Sequence, residues 1–217
     1  MSLNYPDNVD VIIKRLNSAH NPEVSKIRTD FFMEENRFLR DNISGESVIV
    51  AGSGLGHDTF ELSRYNSEVL GIEILRPLVE ISQNKARELG INNVRFHCGD
   101  FITYSPEVTY DTCVLNMGTI GNFDDKKKVI NSLLGYSRRL YCDFYLGDKP
   151  SLKKRKDMYE EEGWKNVRIH GKRIISDDGL DSASLSRLKL SNIVNTLGYS
   201  VKYHELNDFS VMAKIYK

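Results

Sequence analysis

Short β-branched segments alternate with helical segments through the middle of this chain, and that alternation restricts the fold more than any other feature. Five segments are predicted to be buried strands: VIVAG (48–52), EVLGIEI (68–74), NVRFHC (93–98), YDTCVLNM (110–117) and RLYCDFYL (139–146). The segments between them predict helices over 57–65, from Pro77 to near Gly90, and over 124–137. Such alternation with short connections indicates a parallel sheet covered on both faces.

The carboxy-terminal third departs from this strict alternation. The sequence predicts a polar helix over 150–163, an extended hairpin over 165–176 and a helix over 184–197. The final segments YSVKYHEL and FSVMAKIY are joined only by Asn207-Asp208, so they must form a hairpin. One carboxy-terminal strand therefore runs antiparallel to the rest of the sheet.

Together these elements predict a doubly wound α/β fold with a mostly parallel, seven-stranded sheet whose last strand is antiparallel. Residues 1–46 are predicted to form an N-terminal helical cap, because Val9, Ile12 and Leu16 recur at helical spacing. Residues 47–217 are predicted to form the main domain, which carries a helix–hairpin insertion at 148–183.

Composition excludes several classes of protein. The 217-residue chain has 30 Lys+Arg and 30 Asp+Glu, so its formal net charge is zero, which disfavours a nucleic-acid binder driven by bulk charge. No apolar run approaches the ~20 residues of a membrane span, and the amino terminus lacks the layout of a signal peptide. Cys98, Cys113 and Cys142 are widely spaced, which predicts reduced thiols in a cytoplasmic protein and no metal site. The sequence predicts no particular oligomeric state.

A glycine-rich turn, AGSGLGH, lies between the first predicted strand and the next helix. Gly52, Gly54 and Gly56 permit positive φ and let the backbone approach a ligand closely. The dinucleotide-binding fingerprint has a glycine where this chain has His57, because a pyrophosphate packs against the backbone there. The side chain of His57 crowds that approach, which favours a ligand without a pyrophosphate.

Acidic side chains end the next two predicted strands. Glu73 ends the second strand, where a carboxylate can accept both hydroxyl protons of a ribose. Asp100 ends the third strand and can accept from an exocyclic amine, while the ring of Phe101 can flank a purine. Taken singly, Glu73 also fits a solvated charge at a strand end, and Asp100 with Phe101 also fits a turn aspartate beside a core aromatic residue. Because parallel strands end at one edge of the sheet, the sequence predicts a nucleoside site there, shared with Gly54.

The order AGSGLG, GIE, CGD, YDTCVLNMG and a terminal hairpin resembles the class I S-adenosylmethionine-dependent methyltransferases. The resemblance implies a reversed last strand and S-adenosylmethionine as the cofactor. It also implies a cofactor site formed by Gly52, Ser53, Gly54, Gly56, Asp58, Glu73, Ile74, Asp100, Phe101 and Asn116. The family usually has an acidic residue where this chain has Val50, so Asp58 or Asn116 is expected to hold the methionine end of the cofactor.

The segment LNMGTIGNF (115–123) follows the fourth strand, where an acceptor would face the methyl group. It lacks a [DN]-P-P-[YFW] motif, which disfavours nucleobase-amine and glutamine methylation. Its GTIGNF part resembles a loop of the histidine-betaine-forming methyltransferases, which implies a small-molecule acceptor in contact with Asn122. We expect Thr119 and Trp164 to line the same acceptor site, under a lid made of the insertion and the N-terminal helices.

A sulfonium donor carries its own leaving group, so alignment and exclusion of water supply most of the acceleration. If the acceptor must first lose a proton, Asp143 and His57 are the candidate bases. We therefore predict an enzyme that methylates an oxygen or nitrogen atom of a small molecule. The alternatives are an RNA or protein methyltransferase of the same fold, and a nucleotide-binding protein or dehydrogenase of the Rossmann type.

Overall fold

The fold was analysed in a computed structural model that describes residues 9–217. Its elements along the chain are α1 (Val9–Ala19), α2 (Lys26–Asn42), β1 (Ser47–Ala51), α3 (His57–Ser63), β2 (Glu68–Glu73), α4 (Arg76–Glu88), β3 (Val94–Cys98), β4 (Tyr110–Leu115), α5 (Thr119–Asn122), α6 (Lys126–Gly135), β5 (Ser137–Tyr145), α7 (Lys149–Glu161), β6 (Arg168–His170), β7 (Arg173–Ile175), β8 (Asp181–Ala183), α8 (Arg187–Thr196), β9 (Ser200–Glu205) and β10 (Ser210–Tyr216). No helix within residues 9–217 has both the length and the apolar character needed to cross a bilayer.

The main sheet has seven strands in the order β3-β2-β1-β4-β5-β10-β9. The pairs among β1 to β5 are parallel, whereas β10 pairs antiparallel with both β5 and β9. The predicted doubly wound sheet with a reversed last strand is therefore confirmed. The chain winds outward from β1 in one direction and then restarts at β4, so a topological switch point lies between the ends of β1 and β4.

A second, three-stranded antiparallel sheet forms within the insertion, in the order β6-β7-β8. The hairpin predicted over 165–176 is confirmed as β6 and β7, which turn at Gly171 with φ +60°. The third strand, β8, was not predicted. Its sequence, Asp-Ser-Ala, has no β-branched residue, and its extended form depends on pairing with β7, where Ser182 lies opposite Ile174.

Helix α2 packs its inner face against the main sheet and shares an apolar core with β1, β5 and β10. The helix starts at Ser25, whose hydroxyl accepts a hydrogen bond from the Arg28 N–H at 3.1 Å. Its buried positions recur every three or four residues: Arg28, Phe31, Phe32, Glu35 and Leu39. Two of these five side chains carry ionisable groups, which is unusual for a face buried in a core.

Candidate functional site

The predicted glycine loop runs from β1 into α3 at the switch-point edge of the sheet. Gly52, Gly54 and Gly56 have φ of +71°, +54° and +78°, a region that other residues rarely adopt. At Gly56 a side chain would also collide with Phe96, since an added Cβ would lie 2.8 Å from its ring. The loop therefore requires glycine for both backbone conformation and close packing.

Glu73, at the end of β2, is hydrogen-bonded to this loop. Its carboxylate accepts one hydrogen bond from the Gly54 N–H at 3.0 Å and another from the Leu75 N–H at 2.9 Å. The residue is 5% exposed. Because a carboxylate has about four lone-pair positions, two acceptor positions are left after these backbone bonds.

The end of β3 lies beside Glu73. The Gly99 N–H donates to the Glu73 carbonyl at 2.9 Å, and Asp100 comes next in the chain with an exposed side chain that accepts from the Ile102 N–H. Phe101 is buried next to the loop, 3.9 Å from the position of a Cβ on Gly52. Thus the structure brings the predicted loop, acid and aromatic residues to one edge, and Ile74 lies exposed there.

The chain turns sharply after β4, where Met117 and Gly118 both have positive φ, +63° and +66°. Two carboxylates hold this turn from opposite sides. Asp58 accepts a hydrogen bond from the Asn116 side-chain amide at 3.0 Å, and Asp143 accepts from the Gly118 N–H at 2.9 and 2.8 Å. The turn is thereby fixed beside the glycine loop, at the switch point.

Asp143 lies in β5, two residues before the strand ends at Tyr145. It is fully buried on β5, and burial raises the pKa of its carboxyl to about 7, although the Gly118 N–H acts in the opposite direction. Asp58 is half-buried, and desolvation raises its pKa while the bond from Asn116 lowers it. Both carboxyl groups are therefore held next to the turn in an environment that disfavours their charged forms.

Glu35 of α2 is a residue that the sequence reasoning missed. It is fully buried, and neither of its carboxylate oxygens has a hydrogen-bond partner among the described residues. Burial raises its pKa well above the usual value, and the charges of Asp143 and Asp58 raise it further. A signal was present, because Phe31, Glu35 and Leu39 recur every four residues and so lie on one helix face.

A buried ion pair fastens α2 to the sheet and to the insertion. The Arg28 guanidinium donates to Glu162 at 2.6 Å and to the Tyr145 hydroxyl at 2.8 Å, and both charged side chains are almost completely buried. Although burial opposes its charged form, Tyr145, Glu162 and Tyr159 hold the pKa of Arg28 well above its usual value. Two donors of the Arg28 guanidinium are therefore bonded to the insertion and to the sheet.

Helix α1 covers the glycine loop and leaves only a small cavity beneath it. The cavity has a volume of about 40 Å³ and is lined by Leu16, His20, Val50, Ala51, Gly52, Ser53, Gly54, Leu55, His57, Asp58, Asn116, Met117 and Thr119. A water molecule occupies about 30 Å³ in the liquid, so the cavity holds one small group at most. The cavity is therefore far smaller than a nucleoside.

Two histidines stack under this cover. The ring of His20 lies 3.8 Å from that of His57 and 4.3 Å from that of Phe32. Burial lowers the pKa of His20 to about 3 and that of His57 to about 4. Both rings are therefore neutral at pH 7, and His57 is a much weaker base than an ordinary histidine.

The three predicted acceptor-site residues separate in the structure. Thr119 lines the cavity, and its hydroxyl donates to the Asn116 carbonyl. Asn122 is exposed and accepts from the Ala183 N–H at 2.9 Å, so it joins α5 to β8. Trp164 is not among the residues that line the cavity; its ring packs against the Arg15 guanidinium of α1 at 4.1 Å. The structure therefore gives Trp164 a packing contact with the cover.

Among the described residues, no group of three or more His, Cys, Asp or Glu side chains is arranged to hold a metal ion. Cys98, Cys113 and Cys142 are free thiols. The polar groups at the switch point are thus backbone N–H groups, carboxylates and amides, which suit an organic ligand.

Comparison with known proteins agrees with this architecture. Residues 42–140 match the family model of a methyltransferase domain. The chain is 31% identical over 85 residues to protein-L-isoaspartate O-methyltransferase 2 of Nitrosospira multiformis. This alignment covers 39% of this chain and 40% of that protein. It is 27% identical over 110 residues to the uncharacterised methyltransferase YcgJ of Bacillus subtilis, covering 48% and 43%. The chain matches less than half the length of these two relatives.

Solved structures extend the likeness to nearly the whole chain. The magnesium protoporphyrin IX methyltransferase of Synechocystis PCC 6803, solved with bound SAH, superposes with a TM-score of 0.67 at 17% identity, covering 96% of this chain and 94% of that one. A SAM-dependent methyltransferase from Aquifex aeolicus gives a TM-score of 0.62 at 16% identity, covering 87% and 91%. With the antiparallel β10, these likenesses show that the chain has the class I methyltransferase fold and that residues 42–140 resemble a methyltransferase domain.

Proposed function

We propose that this protein binds S-adenosylmethionine at the ends of β1, β2 and β3 and methylates an oxygen or nitrogen atom of a small molecule. One observation carries the proposal: Glu73 is hydrogen-bonded to Gly54 and still has acceptor positions left at the switch-point edge. Its carboxylate is therefore fixed next to a close-approach glycine loop, which is the arrangement that a ribose diol requires.

The remaining polar groups fit the other parts of this cofactor. The Ser53 hydroxyl is buried without a partner in the loop, so it has bonds to give to a ligand. We assign the adenine to Asp100 and Phe101, which follow the end of β3, with Ile74 exposed at the same edge. Val50 leaves the methionine end without the usual acid, and Asp58 with Asn116 supplies a carboxylate and an amide in the same cavity.

The cofactor supplies a methyl group on a sulfonium, which transfers by in-line displacement. The protein's own contribution is alignment and exclusion of water, and α1 with the 116–118 turn provides both. Asp58 lines the cavity and is placed to take a proton from the acceptor. Asp143 contacts the turn through Gly118, so we assign it the role of positioning that turn. Because the pKa of His57 is lowered, we assign His57 no role as a base; its ring lines the cavity beside the glycine loop.

Methylation of a protein carboxyl group is a second candidate, because several relatives are protein-L-isoaspartate O-methyltransferases. The aligned part covers only 40% and 25% of those two proteins. A dehydrogenase would need room for a pyrophosphate where His57 stands. We also propose a cytoplasmic location, since the three thiols are unpaired.

Calorimetric titration with S-adenosylhomocysteine and with NADH tests the proposal. The wild-type protein should bind S-adenosylhomocysteine and not NADH. Glu73→Gln should weaken that binding at least tenfold, because it removes the charge from two hydrogen bonds. Glu80→Gln, on the exposed face of α4, is the matched control and should bind as the wild type does. Binding of NADH alone, or equal affinity in Glu73→Gln, would overturn the proposal.

A further inference from the structure

A basic groove lies at the edge of the main sheet opposite the glycine loop. It has a volume of about 380 Å³ and is lined by Asp111, Arg138, Arg139, Lys202, Lys214 and Tyr216. Four of these side chains are cations and one is an acid, although the whole chain has a formal net charge of zero. From Arg139 to Tyr145, β5 rises about 20 Å at ~3.3 Å per residue, so the groove is separate from the proposed cofactor site.

Three neighbouring strands supply the groove from one face of the sheet. Lys214 of β10 lies directly opposite Lys202 of β9, and Tyr216 of β10 lies opposite Arg139 of β5. These four side chains share a face, because directly paired residues and residues two apart on one strand point the same way. The sheet itself therefore fixes the backbone positions of the groove, without any contribution from a long loop.

The two arginines of the groove are already paired with acids. Arg138 lies 3.3 Å from the Asp111 carboxylate, and Arg139 forms an ion pair with Glu46. Neither of the two lysines forms an ion pair with a carboxylate among residues 9–217. Two positive charges in the groove are therefore left without acidic partners in the described part of the chain.

The positions of these two lysines oppose the stability of the sheet. Like charges directly opposite each other on antiparallel strands are destabilising. The ammonium groups of Lys214 and Lys202 lie 5.5 and 5.9 Å from the ring centres of Tyr141 and Tyr216, which attract a cation but carry no net negative charge. Lysine on an edge strand also prevents two sheets from joining. That role fits Lys202 but not Lys214, because β10 lies between β5 and β9.

We propose that the basic groove binds a phosphoryl group, either as inorganic phosphate or as a phosphate monoester. Such a group carries about −1.5 to −2 charges at pH 7 and has three strong acceptor oxygens. Its charge matches the two unpaired lysines, and its oxygens match the N–H donors of their ammonium groups and of the exposed Arg138 guanidinium. The inference does not rest on the proposed function, since the two sites lie at opposite edges of the sheet.

Calorimetric titration with inorganic phosphate, methyl phosphate and acetate tests this inference. The ionic strength is kept constant, because salt screens exposed charges. We expect both phosphates to bind at least tenfold more tightly than acetate, which has a single charge and two oxygens. The tighter of the two shows whether free phosphate or a monoester is preferred. Lys214→Gln and Lys202→Gln should each weaken phosphate binding at least fivefold, and since they alter different strands, either variant decides the test if the other fails to fold.

The matched control is Lys128→Gln, which removes one positive charge from an exposed lysine of α6 outside the groove and should bind phosphate as the wild type does. The absence of phosphate binding, equal affinity for acetate, or an equal loss of affinity in Lys128→Gln overturns the assignment. An unchanged phosphate affinity in Lys214→Gln and Lys202→Gln overturns it as well. All three variants should bind S-adenosylhomocysteine as the wild type does, so failure of the phosphate site and failure of the proposed function are measured separately.

Discussion

The cofactor half of the site, at the ends of β1 to β3, and the acceptor half, under α2 beside β4 and β5, differ in how their carboxyl groups are paired. At the ends of β1 to β3, polar groups are paired: Glu73 accepts from Gly54 and Leu75, and Asp100 accepts from Ile102. Under α2, Glu35 and Asp143 are fully buried, and neither oxygen of Glu35 has a hydrogen-bond partner among residues 9–217. In the first half the carboxylates are hydrogen-bonded and the Ser53 hydroxyl is left unpaired, whereas in the second half a fully buried carboxyl is left unpaired among the described residues.

This contrast indicates which half contributes to stability and which half detracts from it. Because its carboxylates and backbone N–H groups are hydrogen-bonded to each other, the cofactor site is preorganised and lowers the free energy of unfolding little. Unpaired buried carboxyls lower the free energy of unfolding and persist where they serve binding. Substitutions in the two halves should therefore have effects of different size and, at one position, of opposite sign.

The largest expected effect comes from a buried ion pair of the acceptor half, compared with an exposed ion pair. Arg28→Met leaves Glu162 buried without its partner and should lower the free energy of unfolding by about 3–5 kcal/mol. Arg95→Met breaks the exposed pair with Glu68, which lies at the start of β2, and should cost less than about 1 kcal/mol. Urea denaturation of both variants measures the difference. Equal losses would show that burial does not set the contribution of these pairs.

The next effect concerns the turn after β4, which the acceptor side depends on. Gly118→Ala forces a side chain into the ring of Tyr145 at positive φ and should lower the free energy of unfolding by about 2–4 kcal/mol. Gly171→Ala has a similar φ of +60° with open space around it, so only the backbone penalty of about 1 kcal/mol applies. Thermal unfolding compares them, and a similar loss in both variants would mean that Tyr145 moves aside freely.

Glu35 gives the effect of opposite sign. Glu35→Leu removes a buried carboxyl whose oxygens have no hydrogen-bond partner among residues 9–217, and it should raise the free energy of unfolding by about 1–2 kcal/mol. Glu34→Leu, on the exposed face of the same helix, should change it by less than about 0.5 kcal/mol. Chemical denaturation without ligand is the measurement. A loss of stability in Glu35→Leu would reveal that the carboxyl is paired in the folded protein.

The sequence predicted the cofactor half well because its signals are local. Each main strand was predicted to within two residues, since runs such as VIVAG and EVLGIEI are continuous, β-branched and bounded by turn residues. The glycine loop and Glu73 follow their strands directly, so the parallel sheet brings them together once the strands are known. Their proximity needs no information about distant parts of the chain.

The acceptor half escaped prediction because its contacts join segments far apart in sequence. Glu35 and Asp143 meet only through the packing of α2 on β5, and no local pattern specifies that register. The cover formed by α1 likewise depends on Leu16 and His20 reaching a loop formed by residues 52–57. Strand β8 is extended only because β7 lies beside it. In each case tertiary packing, and not propensity, decides the structure.

The smallest expected effect tests how the cover over the cofactor half responds to pH. As the pH falls through about 6.5, the unfolded chain takes up a proton on His20, whereas the folded protein does so only near its pKa of about 3, so falling pH favours unfolding. Asp143 has the opposite sign, because its pKa of about 7 lies above the unfolded value and stability rises as it protonates.

The variant His20→Phe keeps a ring to stack on Phe32 and removes the contribution of His20 to the pH dependence. Relative to its difference from the wild type at pH 7.5, the variant should therefore gain about 1 kcal/mol at pH 5.5. Denaturant titrations at both values measure this change. A difference that stays constant with pH would mean that the His20 ring is open to solvent and that α1 does not cover the glycine loop.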